Sequence, residues 1–171
     1  MKLRFGFVSN SSSSAFIVGF SRGKFPRSVK EMQKMLFGNQ KVQEIYDKQA
    51  STEAIAAQVW NDFQKTKPLT ESEMAKELEH ADVWDGFPRE FDLDDFKRDS
   101  KEGVALDSVA WDQYELELAK RGADIAAKLL HEHPGLDFFS FTYGDDDGDF
   151  GCVMEHGGTF DNLFHVKVSH H

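Results

Sequence analysis

The first twenty residues contain two apolar, strand-like runs separated by a serine-rich segment. The runs are residues 5–8 and 15–18, and residues 9–14 lie between them. A flexible linker places serine between polar or glycine-rich flanks, whereas these flanks are apolar and need burial. The sequence therefore predicts an N-terminal β-hairpin whose serine-rich loop is anchored at both ends.

The opening residues also follow a recurrent pattern. They read Met1-Lys-Leu-Arg-Phe-Gly-Phe-Val-Ser-Asn-Ser-Ser-Ser-Ser-Ala-Phe. This opening resembles that of uncharacterised phage and bacterial proteins, which follow M-K-x-R-x-G-F-V-S-N-S-S-S-S-S-F, and it departs from that pattern at Ala15. The resemblance is confined to the N-terminal segment, and it implies a phage origin without bringing an activity with it.

Length and cysteine usage limit the class of protein. A chain of 171 residues suits one domain, residues 1–171, and a domain of this size buries about 70% of its unfolded surface without disulfides. Cys152 is the single cysteine and cannot form an internal disulfide, which fits a reducing compartment. No apolar run approaches the roughly 18 residues of a membrane span. We therefore predict a cytoplasmic protein that does not bind membranes.

The charge is strongly acidic and unevenly distributed. The net charge is −10, yet residues 1–27 contain five basic and no acidic residues. Residues 71–107 contain thirteen acidic and five basic residues. An acidic surface disfavours nonspecific binding to nucleic acid, because neutralisation of phosphates supplies most of that affinity. It is compatible with a basic protein partner.

Four helices are predicted from capping residues and apolar spacing. Ser28 with Glu31 and Thr70 with Glu73 have the spacing of capping boxes. The helices are expected over residues 28–37, from residue 51 or 52 to before Pro68, over residues 70–80, and over residues 108–133. Residues 41–48 are expected to add another turn or two of helix. Residues 81–107 are expected to form an irregular connection with one helical turn.

The final third of the chain changes to an alternating pattern of apolar and polar residues. Strands are predicted over residues 137–143, 150–156 and 163–168, with turns at residues 145–149 and 157–158. Together with the N-terminal hairpin, they predict an α+β fold. Its single antiparallel sheet of about five strands is expected to be covered on one face by helices.

The serine-rich segment and its basic neighbours predict an anion site. Hydroxyl groups, an amide and successive backbone N–H groups are suited to bind phosphate or sulfate, with basic side chains supplying charge. The residues in this prediction are Arg4, Ser9, Asn10, Ser11, Ser12, Ser13, Ser14, Arg22 and Lys24. The alternative is a structural loop whose hydroxyls bond to nearby backbone.

Aromatic and acidic residues alternate in the predicted irregular connection. Apolar anchors surrounded by carboxylates are typical of an interface that uses electrostatic steering. The predicted partner-binding residues are Trp84, Phe87, Phe91, Asp92, Asp94, Asp95 and Phe96. The alternative is that these aromatic residues anchor a long loop to the core.

Other clusters suggest simpler roles. The acidic run at residues 145–149 lacks the ligand spacing of a calcium loop, so we predict a turn there. His156 and His165 are predicted to lie on neighbouring strands. There they either form an acid–base pair together with Glu155 or face solvent. Cys152 is predicted to be a small buried apolar residue. We expect no metal and no cofactor, and the terminal His170 and His171 are set aside as a possible tag remnant.

These observations favour an interaction protein over an enzyme or ligand-binding domain. The leading hypothesis is a small acidic interaction protein, encoded by a phage, that binds a host protein. The alternative is an enzyme or ligand-binding domain that recognises a phosphorylated or nucleotide ligand at residues 9–14. The interaction protein is preferred because aromatic residues alternate with carboxylates around residues 84–99. The chain also contains no phosphate-binding loop, dinucleotide fingerprint or nucleophile elbow, which makes an enzyme less expected.

Overall fold

The structure of the protein, a computed structural model, describes residues 13–79, 108–144 and 148–170. In chain order the elements are β1 Ser13–Ser21, α1 Val29–Phe37, β2 Val42–Ile45, β3 Lys48–Ser51, α2 Thr52–Phe63, α3 Glu71–Glu77, α4 Ser108–Glu132, β4 Leu136–Gly144, α5 Gly148–His156 and β5 Phe164–His170. The α+β class is confirmed. No described helix is both long and apolar enough to cross a membrane.

Two separate antiparallel sheets are present among these residues. A three-stranded sheet has the order β4-β1-β5, and β2 pairs only with β3. Phe16 of β1 lies opposite Phe141 of β4 and Lys167 of β5. The strand at residues 13–21 thus shares an antiparallel sheet with the C-terminal strands β4 and β5, as predicted, and it lies between them. The prediction of one five-stranded sheet is wrong, and the first strand of the predicted hairpin, residues 5–8, lies outside the described residues.

Both faces of the three-stranded sheet are covered by helices. Phe16, Val18 and Phe20 of β1 are buried with residues of α1, α2 and α5. Ala15 and Ile17 are buried on the opposite face with residues of α3 and α4. A central strand buried on both faces reads as a continuous apolar run, as β1 does. The prediction that helices cover only one face is therefore wrong.

The helices that begin with a capping signal are confirmed. The Ser28 hydroxyl accepts a hydrogen bond from the backbone N–H of Glu31 at 3.2 Å, and α1 begins at the next residue. Thr70 and Glu73 form a reciprocal capping box at the start of α3. The Thr70 backbone N–H, together with Lys67, lowers the pKa of Glu73 to about 2. These caps are local in sequence, which explains why the pattern revealed them.

Two segments differ from their predicted structure. Residues 41–48 were expected to extend the preceding helix, but residues 42–51 form the β2–β3 hairpin. Residues 150–156 were expected to form a strand, but residues 148–156 form α5. In α5 five consecutive residues, 151–155, are buried. Burial on every side hides the helical period, because no polar face remains to reveal it. The last two residues of the turn predicted at residues 145–149 also differ from the prediction, because Gly148 and Asp149 begin α5.

Helices α3 and α4 meet closely at Gly122. A Cβ at this position would overlap the backbone carbonyl oxygen of Ala75 and lie 3.1 Å from Glu79 Cγ. Glycine-to-alanine changes in a helix interior ordinarily stabilise by roughly 0.5–1 kcal/mol. We expect Gly122→Ala to lower the free energy of unfolding instead, by about 1–3 kcal/mol, as overpacking does.

Denaturant unfolding of the wild type and Gly122→Ala measures this effect. Gly135→Ala is the control, because no heavy atom lies within 4 Å of a Cβ built at Gly135. A gain in stability for Gly122→Ala would show that the two helices are not in close contact.

Candidate functional site

The predicted anion-binding residues do not all meet in the structure. Ser13 and Ser14 begin β1, whereas Arg22 and Lys24 follow its other end. A nine-residue strand separates its ends by about 26 Å at 3.3 Å per residue. Arg22 is bound to Asp137, with 2.9 Å between Nε and Oδ1. The basic residues Arg22 and Lys24 are therefore distant from Ser13 and Ser14, while Arg4 and residues 9–12 lie outside the described residues.

Ser14 instead contacts a buried carboxylate. Its hydroxyl donates a hydrogen bond to Glu155 Oε1 at 2.7 Å, and the Glu155 side chain is fully buried. Glu155 Oε2 has no hydrogen-bond partner within the part of the chain that the structure describes. A hydroxyl that donates its hydrogen to a buried carboxyl group of the fold is not free to donate it to an anionic ligand. For Ser14 the contact therefore supports the structural alternative over phosphate binding.

His156 and Lys167 complete the surroundings of this carboxylate. His156 Nε2 lies 3.4 Å from Glu155 Oε2, and its side chain is 31% exposed. Lys167 Nζ donates a hydrogen bond to the Glu155 backbone carbonyl at 3.2 Å. In a catalytic triad the imidazole bonds both the carboxylate and the serine. Here the carboxylate lies between the two, and Ser14 is buried away from any substrate.

The two histidines predicted to form a pair lie on different elements. His165 lies on β5 and contacts the rings of Phe16 and Phe160, whereas His156 ends α5. The predicted His156–His165 pair across neighbouring strands is wrong, because residue 156 belongs to a helix. Cys152 is buried as expected, although it also lies on α5.

The predicted partner surface falls in a part of the chain that remains without a structural account. Trp84, Phe87, Phe91, Asp92, Asp94, Asp95 and Phe96 all lie between residues 79 and 108, outside the described ranges. Their role in partner binding stays a prediction. In the described ranges no three His, Cys, Asp or Glu residues come together as a metal site would require.

The β2–β3 hairpin contains an exposed aromatic residue that the sequence analysis missed. Tyr46 lies in the two-residue turn that joins Ile45 to Lys48. Its φ is 56° and its side chain is 78% exposed. This conformation suits glycine or asparagine, and it costs a bulky residue about 1–2 kcal/mol. The turn lacks glycine, so no turn signal marked it in the sequence.

The hairpin is attached firmly to the rest of the protein. Lys48 Nζ lies 3.4 Å from Asp149 Oδ1 on α5, and this contact raises the pKa of Lys48. The Gln43 side-chain amide donates a hydrogen bond to the Gly157 carbonyl. At the base of the hairpin, the Thr52 backbone N–H donates to the Lys41 carbonyl at 3.0 Å. These contacts attach the hairpin to α5, to Gly157 after it and to the segment after α1.

Outward-facing residues of the hairpin extend the surface around Tyr46. Strand alternation places Val42 and Glu44 on the exposed side of β2, and Asp47 is exposed next to Tyr46 in the turn. We call Val42, Glu44, Tyr46, Asp47 and Gln49 the hairpin surface. It combines one aromatic and one aliphatic side chain with two carboxylates.

Comparisons with known proteins do not indicate a function for the site, so its chemistry is the basis for interpreting it. A scan against protein-family models, a search of curated proteins and a search of solved structures find no match for this chain.

Proposed function

We propose that this protein is an acidic interaction protein that binds a basic partner protein through the hairpin surface. The single observation that carries the proposal is Tyr46, a large aromatic side chain in an unfavourable backbone conformation and 78% exposed. A residue that costs conformational energy and is this exposed adds little to the stability of the fold. Strained residues of this kind concentrate at functional positions.

The chemistry of the hairpin surface suits a protein partner. Tyrosine is enriched at the centre of interfaces, where it buries a large ring and keeps a polar hydroxyl for hydrogen bonding. Glu44 and Asp47 lie beside it, and the chain as a whole carries a charge of −10. A partner with a pocket for the ring and basic residues around that pocket is complementary to this surface.

The rigidity of the hairpin favours binding further. Lys48 and Gln43 tie it to α5 and to the turn that follows. A surface already held in its bound conformation loses less entropy on association. The N-terminal resemblance makes a bacterial host protein the partner to seek, and the predicted surface around Trp84 and Phe96 is a second contact region within the same proposal.

The phosphate-ligand alternative has weaker support. It requires the hydroxyls of residues 9–14 to face an anion, whereas Ser14 faces the Glu155 carboxylate. We therefore do not carry it forward as a second function.

Replacing Tyr46 with asparagine separates binding from folding. Asparagine tolerates a positive φ, so Tyr46→Asn is expected to raise the free energy of unfolding by about 1 kcal/mol. Loss of the ring is expected to weaken partner binding by at least about tenfold. The measurement begins with affinity purification from bacterial lysate and mass spectrometry, followed by titration of the purified partner against wild type and variant.

Leu116→Gln is the matched control. Leu116 is another exposed apolar residue, 68% exposed, and it lies on α4, which covers the other face of the sheet. We expect this variant to bind the partner as the wild type does. If Tyr46→Asn binds the partner with unchanged affinity, the hairpin tip is not the contact, and the proposal for this surface fails.

A further inference from the structure

A cleft opens beside the last two residues of β1, which pair with β4 but not with β5. β1 pairs with β4 as far as Ser21 opposite Leu136, but with β5 only as far as Gly19 opposite Phe164. The space beside the last residues of β1 forms a cleft of about 390 Å³. Clefts that bind small molecules have volumes of about 300–1,000 Å³. The size is therefore that of a small-ligand site.

The lining of the cleft combines apolar and polar residues. The apolar lining residues are Met35, Leu136, Leu163 and Phe164, and the polar ones are Ser21, Lys24 and Asn162. A site with apolar walls and a few polar groups binds a ligand that has an apolar body and one polar end.

Lys24 supplies the positive charge among the lining residues. No carboxylate of the described residues lies within ion-pair distance of Lys24, whereas the neighbouring Arg22 is bound to Asp137 at 2.9 Å. The Lys24 backbone N–H donates to the Ser21 carbonyl at 2.9 Å, which closes a tight turn through Gly23 at φ 73°. This turn holds the Lys24 backbone beside the cleft.

Asn162 adds an oriented polar group to the lining. Its side-chain Nδ2 donates a hydrogen bond to the Leu36 carbonyl at 2.7 Å. That bond fixes the orientation of the amide and leaves its oxygen as an acceptor. Ser21 supplies a hydroxyl that donates to an anion.

We propose that this cleft binds a small organic carboxylate whose apolar body lies against Met35, Leu163 and Phe164 and whose carboxylate is bound by Lys24 and Ser21. A single lysine matches a single negative charge, which favours a carboxylate over a doubly charged phosphate. This site is distinct from the hairpin surface and is independent of the proposed partner.

The test is a titration of the isotope-labelled full chain with naphthoate, followed by nuclear magnetic resonance. The uncharged naphthamide, which has the same apolar body, is titrated in parallel. We expect naphthoate to shift the backbone signals of Ser21, Lys24 and Leu163. Lys24→Met is expected to bind naphthoate about fivefold more weakly, as for other partly exposed charge contacts, while its affinity for naphthamide is unchanged.

Lys30→Met is the matched control. Lys30 is an exposed lysine on α1 that does not line the cleft, so its loss is expected to leave naphthoate binding unchanged. Equal binding of naphthoate to wild type and Lys24→Met overturns the proposal. Shifts confined to other regions, or no shifts at millimolar naphthoate in the folded wild type, overturn it as well.

Discussion

Replacing Phe160 with alanine is expected to lower the free energy of unfolding by about 3–5 kcal/mol. Phe160 is fully buried in the segment that joins α5 to β5. Its ring centroid lies 5.2 Å from that of Phe16 on β1 and 5.4 Å from that of Phe141 on β4. It also contacts the rings of Tyr143 and His165. One side chain therefore packs against all three strands of the main sheet.

The cost arises from the cavity that the missing ring leaves. Neighbouring aromatic rings collapse only partly into such a space, because each is held by its own strand. Denaturant unfolding monitored by circular dichroism measures the change. Phe160→Leu keeps most of the volume, and we expect it to cost less than about 1.5 kcal/mol.

Phe150→Ala serves as the second comparison. Phe150 is only half-buried and packs at the edge of the same cluster, so a smaller loss is expected. If Phe160→Ala costs no more than Phe150→Ala, Phe160 is not the centre of the packing between the three strands.

Replacing Ser14 with alanine is expected to destabilise the protein by about 1–3 kcal/mol. The Ser14 hydroxyl is the hydrogen-bond donor to Glu155 Oε1 among the described residues, and both side chains are buried. Removing the donor leaves a buried carboxylate oxygen without a partner, which costs more than the net value of the bond itself. The effect on stability should therefore be large for the loss of a single oxygen atom.

A double-mutant cycle assigns this cost to the pair. Glu155→Met alone leaves the Ser14 hydroxyl buried without its acceptor, whereas Ser14→Ala with Glu155→Met removes both polar groups. We expect the double variant to be more stable than the sum of the two single effects predicts. Additive single effects would mean that the hydroxyl and the carboxylate do not interact.

Ser13→Ala is the neighbouring control, since Ser13 is only half-buried and its change should have little effect on stability.

The same variants decide between the anion site and the structural loop as interpretations of the serine-rich segment. Stability lost in Ser14→Ala, with phosphate-ligand binding no weaker than in the wild type, supports the structural interpretation. Unchanged stability with weaker phosphate binding would restore the anion site.

The helices α1 and α3 could be predicted because their signals lie within a few residues. Ser28 with Glu31 and Thr70 with Glu73 satisfy the free backbone groups at each helix start. Helix α2 could be predicted from its stripe of apolar residues and from Pro68 beyond its end. Such signals depend on neighbours along the chain, so they are present before the chain folds.

The segments that were predicted wrongly lack such local signals. In α5 consecutive burial from Gly151 to Glu155 removes the polar face that reveals a helix. The β2–β3 turn at Tyr46 contains neither glycine nor asparagine, so its conformation follows from the attachment of both strands to α5. Packing against another element decided both structures.

The candidate sites depend on contacts between residues that are distant in sequence, so they could be identified only from the tertiary structure. Local pattern alone determined β1, β4 and β5 as strands and the capped helices as helices. The Ser14–Glu155 contact joins residues 141 positions apart, and the cleft beside Lys24 lies where the last two residues of β1 pair with β4 but not with β5. Strand order and relative strand length are set by the burial of two opposite faces of the sheet, a constraint that no short stretch of sequence contains.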